Sequence, residues 1–348
     1  MNRLVASCAL ALVCAAPAAA QDTPFIAESG SRPVVNTDGT YVFNHIPNSN
    51  LVFEAQIAPR IIIYDSIGDA AQKVLGESKP AVWGWQASAT PMVRLRMFNE
   101  TSNPVRTPSY MPKGTVQFMR LRNLSRSNDR DEEEFNRGPI ETLLIDAIPF
   151  GHHSNGQNGC LFTTQFRDAE GECVNPVPVL PENVNKEDGS FSTNYLQVMA
   201  YYGRLSLDST GAPDGEFATR REWRIGAGIQ LNPQGYVGGS IDEELSDIYG
   251  PTRVLFEAAA AQRDLWRCGR AEGSFKLQYI GDAAPDVPSF ITAIEGLCLP
   301  RRWGGAGLFV RYYYGQDYYN LAFNEGVSRL QFGFALQKDS FLSFRIAP

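Results

Sequence analysis

The stretch Gly151-His152-His153-Ser154-Asn155-Gly156-Gln157 ends an apolar, strand-like run over residues 140–150, and Ser190-Phe191-Ser192-Thr193-Asn194 answers it further along the chain. In a strand the side chains alternate between two faces, so His152 and Ser154 stand side by side. Their parity takes in Phe150, Ile148 and Leu144, with Asp146 as the polar exception; Asn194 shares a face with Leu196, Val198 and Ala200. Each polar tip therefore ends a mostly apolar strip, a surface that a soluble protein buries and a membrane barrel turns to lipid. If the two stretches meet, they join a hydroxyl nucleophile, a base and an amide that can orient the base, the logic of a Ser-His-Asp triad with Asn in third place. The competing reading is local: Ser-Asn-Gly is a common turn because Asn and Gly tolerate positive φ, and the histidine before it is then a loop residue. His153 falls on the opposite face and reads as structural or solvent-facing.

Working outward, the clearest alternation lies in residues 328–336. Leu330, Phe332, Phe334 and Leu336 face one way, and Arg329, Gln331, Gly333 and Ala335 the other, which is a lipid-out, lumen-in dyad. Further strand candidates are 51–64, interrupted at Pro59, then 82–98, 115–121, 195–207, 221–231, 275–280 and 306–314. Residues 243–249 and 253–262 suit a short helix or a strand pair equally. Beyond the N-terminus no apolar run reaches the roughly 18 residues of a spanning helix, whereas a spanning strand needs only about 10. Residues 158–189 form a long loop carrying Cys160, Cys173 and the extended run Pro176-Val177-Pro178-Val179-Leu180-Pro181. The acidic run Asp129-Arg130-Asp131-Glu132-Glu133-Glu134 lacks the ligand spacing of a calcium loop and reads as a charged turn at the end opposite His152 and Ser154.

Residues 1–20 combine a basic Arg3, an apolar run and Ala18-Ala19-Ala20 before Gln21, a secretory signal peptide cleaved after Ala20. Cys8 lies too near the start for lipidation. Residues 21–50, rich in Asn, Pro and Gly, read as an irregular N-terminal arm, followed by the strand region 51–341 and a short tail, 342–348. The formal net charge of −7 does not suggest a nucleic-acid binder. Four cysteines remain after the signal and allow three pairings. Cys160 with Cys173 and Cys268 with Cys298 are favoured because each pair closes one local loop, and without CxxC spacing zinc is not expected.

His-x-Ser-Asn-Gly followed by Ser-x-Ser-x-Asn resembles the signature of the bacterial outer-membrane phospholipase A family. Three other stretches agree in order: Trp85-Gln86, then Ser102-Asn103-Pro104-Val105-Arg106-Thr107-Pro108-Ser109-Tyr110-Met111-Pro112, then Tyr313-Tyr314-Gly315 with the segments that follow to Phe341. The resemblance implies an all-β fold, an antiparallel transmembrane β-barrel of about 12 strands, spanning the bacterial outer membrane many times. It implies an esterase acting on phospholipids and lysophospholipids, with His152 as base, Ser154 as nucleophile, Asn194 orienting the histidine and the Gly156 N–H facing the oxyanion. It implies calcium on the Ser190 hydroxyl, the Gln157 carbonyl and Ser102 or Asn103 of a second subunit, so that a homodimer is the active state. The family has only a few residues between the two motifs where this chain inserts 158–189. Two other readings are a catalytically silent barrel of the same fold, used as a pore or surface scaffold, and a soluble periplasmic β-protein.

Overall fold

The structure is a computed structural model and describes residues 39–46, 51–75, 80–99, 101, 105–124, 139–175, 180–209, 217–233, 246, 249–283, 287–303, 305–336 and 345–346. The signal segment, the acidic turn at 129–134, and Ser102 and Asn103 lie outside the described residues.

The sheet closes on itself. Its strands are β1 (Tyr41–Ile46), β2 (Leu51–Ile57 continued by Ile61–Asp65), β3 (Ala81–Thr90 continued by Val93–Phe98), β4 (Ser109–Tyr110 continued by Lys113–Asn123) and β5 (Ile140–Ser154). After a long loop follow β6 (Ser192–Ser209), β7 (Phe217–Leu231), β8 (Thr252–Arg263), β9 (Arg270–Gly281), β10 (Phe290–Leu299), β11 (Ala306–Gln316) and β12 (Gly326–Leu336). Each pairs antiparallel with its neighbours in sequence, and β12 pairs with β1, giving a closed barrel of 12 strands. The described barrel thus begins at Tyr41, ahead of the expected 51, since β1 is held in the wall by β12 and β2. Within the tail, Arg345–Ile346 pairs with the start of β7.

The breaks in β2, β3 and β4 fall at Pro59, Pro91 and Pro112, and β5 carries Pro149. Proline has no N–H for the ladder, so each interrupts it. The flanking registers, Ile57 with Val93, Ile61 with Ala89, Val93 with Tyr110 and Thr90 with Lys113, set these breaks side by side across the wall. Ala58, Met92 and Met111 fill the lumen beside them. At Pro149 and Phe150 the interruption becomes a bulge: Tyr195 pairs with Gly151 but Gln197 with Ile148, so Leu196 alone opposes two residues of β5.

That bulge corrects the single apolar strip expected on β5. Leu144, Asp146 and Ile148 are buried in the lumen, Pro149 and Phe150 are both exposed, and beyond them Gly151 and His153 turn inward while His152 and Ser154 share the outer face with Phe150. An inserted residue reverses the period-2 alternation from that point on.

Elsewhere the alternation is regular. Leu308, Val310, Tyr312 and Tyr314 on β11, and Leu330, Phe332, Phe334 and Leu336 on β12, are exposed, whereas Phe309, Arg311, Tyr313, Gln331 and Ala335 are buried. An apolar exterior around a polar interior is what a transmembrane barrel presents to lipid. The lumen holds paired charges: Arg96 contacts Glu54 at 2.7 Å and both oxygens of Asp317 at 2.7 Å, and Arg224 meets Glu257 at 2.7 Å. Among the described residues no helix is long and apolar enough to cross a membrane.

Both ends of the lumen are filled. Between β2 and β3, α1 (Ile67–Leu75) starts on the Asp65 carboxylate, which accepts from the Ile67 N–H at 2.9 Å. Ile67, Ala70, Ala71 and Val74 form one helical stripe that packs on Met119, Leu144, Met199, Leu205 and Leu255. Gly84 admits the helix: a Cβ there would stand 2.7 Å from Ile67 Cα and 2.8 Å from the Ser66 carbonyl oxygen. At the other end Leu161, Phe162, Val184, Phe191, Tyr249, Val287, Leu321 and Phe323 form an apolar cap built mostly from loops. The undecided 253–262 segment is strand β8, with Ala259 and Ala261 directed inward.

Candidate active site

The β5–β6 ladder sets Asn194 opposite His152 and Ser192 opposite Ser154. Three local features fix this register beyond the bulge. The His152 N–H donates to the Pro112 carbonyl at 2.9 Å, across the break in β4. Tyr195 lies over Gly151, where a Cβ would come within 2.2 Å of the ring, so the glycine leaves room for the tyrosine ring against the β5 backbone. Asn155, 1% exposed, accepts at Oδ1 from the N–H groups of Gln157 (3.2 Å) and Phe191 (3.0 Å), and its Nδ2 donates to the Gly189 carbonyl at 2.7 Å. One side chain thereby clamps the two halves of the site together.

His152 and Asn194 are in contact, Nδ1 to Oδ1, at 2.7 Å. Because a carboxamide oxygen only accepts, this contact places the imidazole proton on Nδ1 and leaves Nε2 as the basic nitrogen. Ser154 is on the same outward face, two residues on, and both side chains are half-buried. Among the described residues no hydrogen bond links Ser154 to His152, an arrangement common in ligand-free sites, where such bonds close only around substrate. Gly156 has φ +66° and lies against Tyr110, with a Cβ position 3.4 Å from that ring.

The long insertion does not separate the two motifs. Gly159 and Gly189 form a parallel bridge, with the Gly159 N–H donating to the Asp188 carbonyl at 3.0 Å and the Ser190 N–H to the Gly159 carbonyl at 2.9 Å. The loop leaves and returns through one point, and the Cys160–Cys173 disulfide lies within it. Cys268–Cys298 joins the β8–β9 turn to β10 at the other end of the barrel. The bridge sets Ser190 beside the 157–159 segment, and the Gln157 side chain donates to Thr107 Oγ1. Among the described residues no group of three or more His, Cys, Asp or Glu side chains could hold a metal. The Ser190 hydroxyl and Gln157 carbonyl are both oxygen donors, the ligand type a hard divalent cation takes.

His153 departs from the solvent-facing alternative. It is 6% exposed and points into the lumen, edge-on to Phe191 with ring centroids 4.8 Å apart. Asn155 and Tyr195 are contributors that reading the motif did not single out. Asn155 looked like an ordinary turn residue, and its reach across to residues 189 and 191 exists only in the folded chain.

The chain matches no family model and no curated protein. Among solved structures it is similar to outer membrane phospholipase A from Escherichia coli, with a TM-score of 0.46 and 13% identity over 87% of this chain and 98% of that one. It is likewise similar to the Salmonella typhi outer membrane phospholipase dimer with bound calcium, with a TM-score of 0.46 and 13% identity over 87% of this chain and 92% of that one.

Proposed function

We propose that this protein is a calcium-dependent outer-membrane phospholipase of A1/A2 type, hydrolysing acyl esters of phospholipids and lysophospholipids as a homodimer. The observation that carries the reading is the 2.7 Å contact of His152 Nδ1 with Asn194 Oδ1, with Ser154 on the same outward face of the barrel wall. Acyl chains in the surrounding lipid reach that face without leaving the membrane.

Ser154 Oγ attacks the ester carbonyl. His152 Nε2 takes the hydroxyl proton and returns it to the departing alcohol oxygen, leaving the acyl group on Ser154; a water that gives its proton to the same nitrogen then releases the fatty acid, and that proton restores the serine hydroxyl, while Asn194 holds the ring in the tautomer that permits these transfers. An amide stabilises the imidazolium less than a carboxylate does, so more of the barrier falls on the oxyanion, which the Gly156 N–H faces. Ser190 and the Gln157 carbonyl are the ligands offered to calcium by one chain, with Ser102 or Asn103 of a second chain completing the set. Calcium held there would supply positive charge to stabilise the oxyanion.

The experiment is fatty-acid release from phosphatidylcholine and phosphatidylethanolamine by the full-length protein in detergent micelles, with calcium or with chelator, beside Ser154→Ala. Calcium-dependent release that the substitution abolishes is the expected result. Silence from a correctly inserted, heat-modifiable barrel would sink the enzymatic reading and leave a barrel scaffold in its place.

A further inference from the structure

The lumen carries polar groups that ester hydrolysis does not use. A cavity of about 290 Å³ lies inside the barrel, lined by His153, Tyr249, Arg253 and Gln316 among others. Arg253 is 7% exposed, Gln316 1% and His153 6%. The Arg253 guanidinium lies over the Tyr249 ring, 4.4 Å from its centroid, and its Nη2 donates to Gln316 Oε1 at 3.1 Å and more weakly to the Tyr249 carbonyl at 3.4 Å. Both acceptors are neutral. Among the described residues no carboxylate pairs with Arg253, and three buried nitrogens at this cavity have no hydrogen-bond partner: Arg253 Nε, Gln316 Nε2 and His153 Nε2.

The carboxylates that line this cavity are already paired. Asp317 is held by Arg96 at 2.7 Å and Arg329 at 3.0 Å, Glu257 by Arg224 at 2.7 Å, and Glu295 by Lys276 at 3.5 Å. Arg253 is therefore left as a buried cation over an aromatic face, and such a charge is costly to keep from water without a counter-ion. Gln316 has its oxygen turned to Arg253, so its amide N–H groups are what remain for a ligand. Asn320 Oδ1, also without a partner at this cavity, offers one acceptor, suited to the proton of a hydrogen phosphate or to a water.

We infer that this lumen cavity is a binding site for a small oxyanion of the phosphate class, held by Arg253 and Gln316 with His153 as a third contact. A diacyl phospholipid is far too large for it, so the ligand is free phosphate or a headgroup fragment such as glycerol phosphate. The site is on the opposite side of the wall from Ser154 and does not depend on the hydrolase reading.

The test is thermal unfolding of the full-length protein in detergent, with chelator present so that calcium plays no part, titrated with inorganic phosphate or glycerol phosphate at constant ionic strength set by chloride. The midpoint should climb with ligand concentration by mass action and the climb should vanish in Arg253→Met. A response to inorganic phosphate assigns free phosphate, and a response to glycerol phosphate alone assigns the headgroup fragment. No response to either, or an equal response in Arg253→Met, overturns the site. Should Arg253→Met fail to fold, Gln316→Leu keeps the cation and must still weaken the apparent affinity measured by phosphorus NMR titration; unchanged affinity overturns the site equally.

Discussion

His152 and Asn194 stand directly opposite each other in the β5–β6 ladder, with ring Nδ1 and amide Oδ1 2.7 Å apart. In the hydrolase proposed above the contact acts through the tautomer, so its loss should lower turnover while leaving Ser154 and His152 in place. Ser154→Ala and His152→Ala are expected to cost at least about 10⁴-fold in kcat/KM and Asn194→Leu distinctly less, with Asn194→Asp closest to the parent. Steady-state fatty-acid release from micelles gives the ranking, and an Asn194→Leu enzyme as fast as the parent would remove Asn194 from the mechanism.

Asn155→Ala should destabilise the end of the barrel that carries His152 and Ser154. It leaves the Gly189 carbonyl and the Gln157 and Phe191 N–H groups without their side-chain partner, at about 1–3 kcal/mol for each that stays dry. Asn155→Asp keeps the acceptor and loses only the donor to Gly189, so it should fall between. Proteolytic nicking of residues 158–189 and the unfolding midpoint are the measurements, and equal behaviour of both variants and the parent would refute the clamp.

Gly84→Ala tests the seat of α1. Reduced backbone freedom in the unfolded chain favours alanine by up to about 1 kcal/mol. Against this, the new Cβ meets backbone atoms of Ile67 and Ser66 at 2.7 and 2.8 Å, which cannot rotate away. Overpacking of this kind costs about 1–3 kcal/mol, so a net loss is expected in denaturant unfolding.

Asp317 gives a pH dependence. Burial pushes its carboxyl pKa up, but Arg96, with Arg329 behind it, outweighs that and holds it below the ordinary value. A carboxyl depressed in the folded state contributes stability that is complete above its unfolded pKa of about 3.9 and is lost as pH falls through the folded value. Asp317→Asn should therefore destabilise at neutral pH and show a flatter acid limb than the parent. Parallel acid limbs in the two proteins would argue against this assignment.

Much of the barrel could be read from residues. On β12 every second side chain from Leu330 to Leu336 is large and apolar, and nothing interrupts the period, so strand and facing were both legible. On β5 the strand was legible and the facing was not. The reversal at Pro149 and Phe150 is set by what β6 places opposite, a single Leu196, and pairing across strands is not written in local spacing. β8 was ambiguous because the run Ala258-Ala259-Ala260-Ala261 suits a helix by propensity, whereas in the sheet Ala259 and Ala261 turn inward and the strand is held by its pairing with β7 and β9. β1 went unseen because its large residues Tyr41 and Phe43 point inward, and of its described outward side chains, Val42 and Asn44, only Val42 is apolar. At the site, the meeting of His152 with Asn194 followed from the motif, but the means of meeting, Asn155 and the Gly159–Gly189 bridge, depends on where a long loop returns.

A barrel set in an outer membrane is a hole in a permeability barrier unless something stops it. Here, among the described residues, α1 packs into one end from within and the apolar cap covers the other, so the lumen is obstructed at both ends with room inside for a small ion, and His152 and Ser154 stand outside it. Reconstituted in a planar bilayer it should pass no steady current, and a cell carrying many copies should stay as impermeable to small antibiotics as one carrying none.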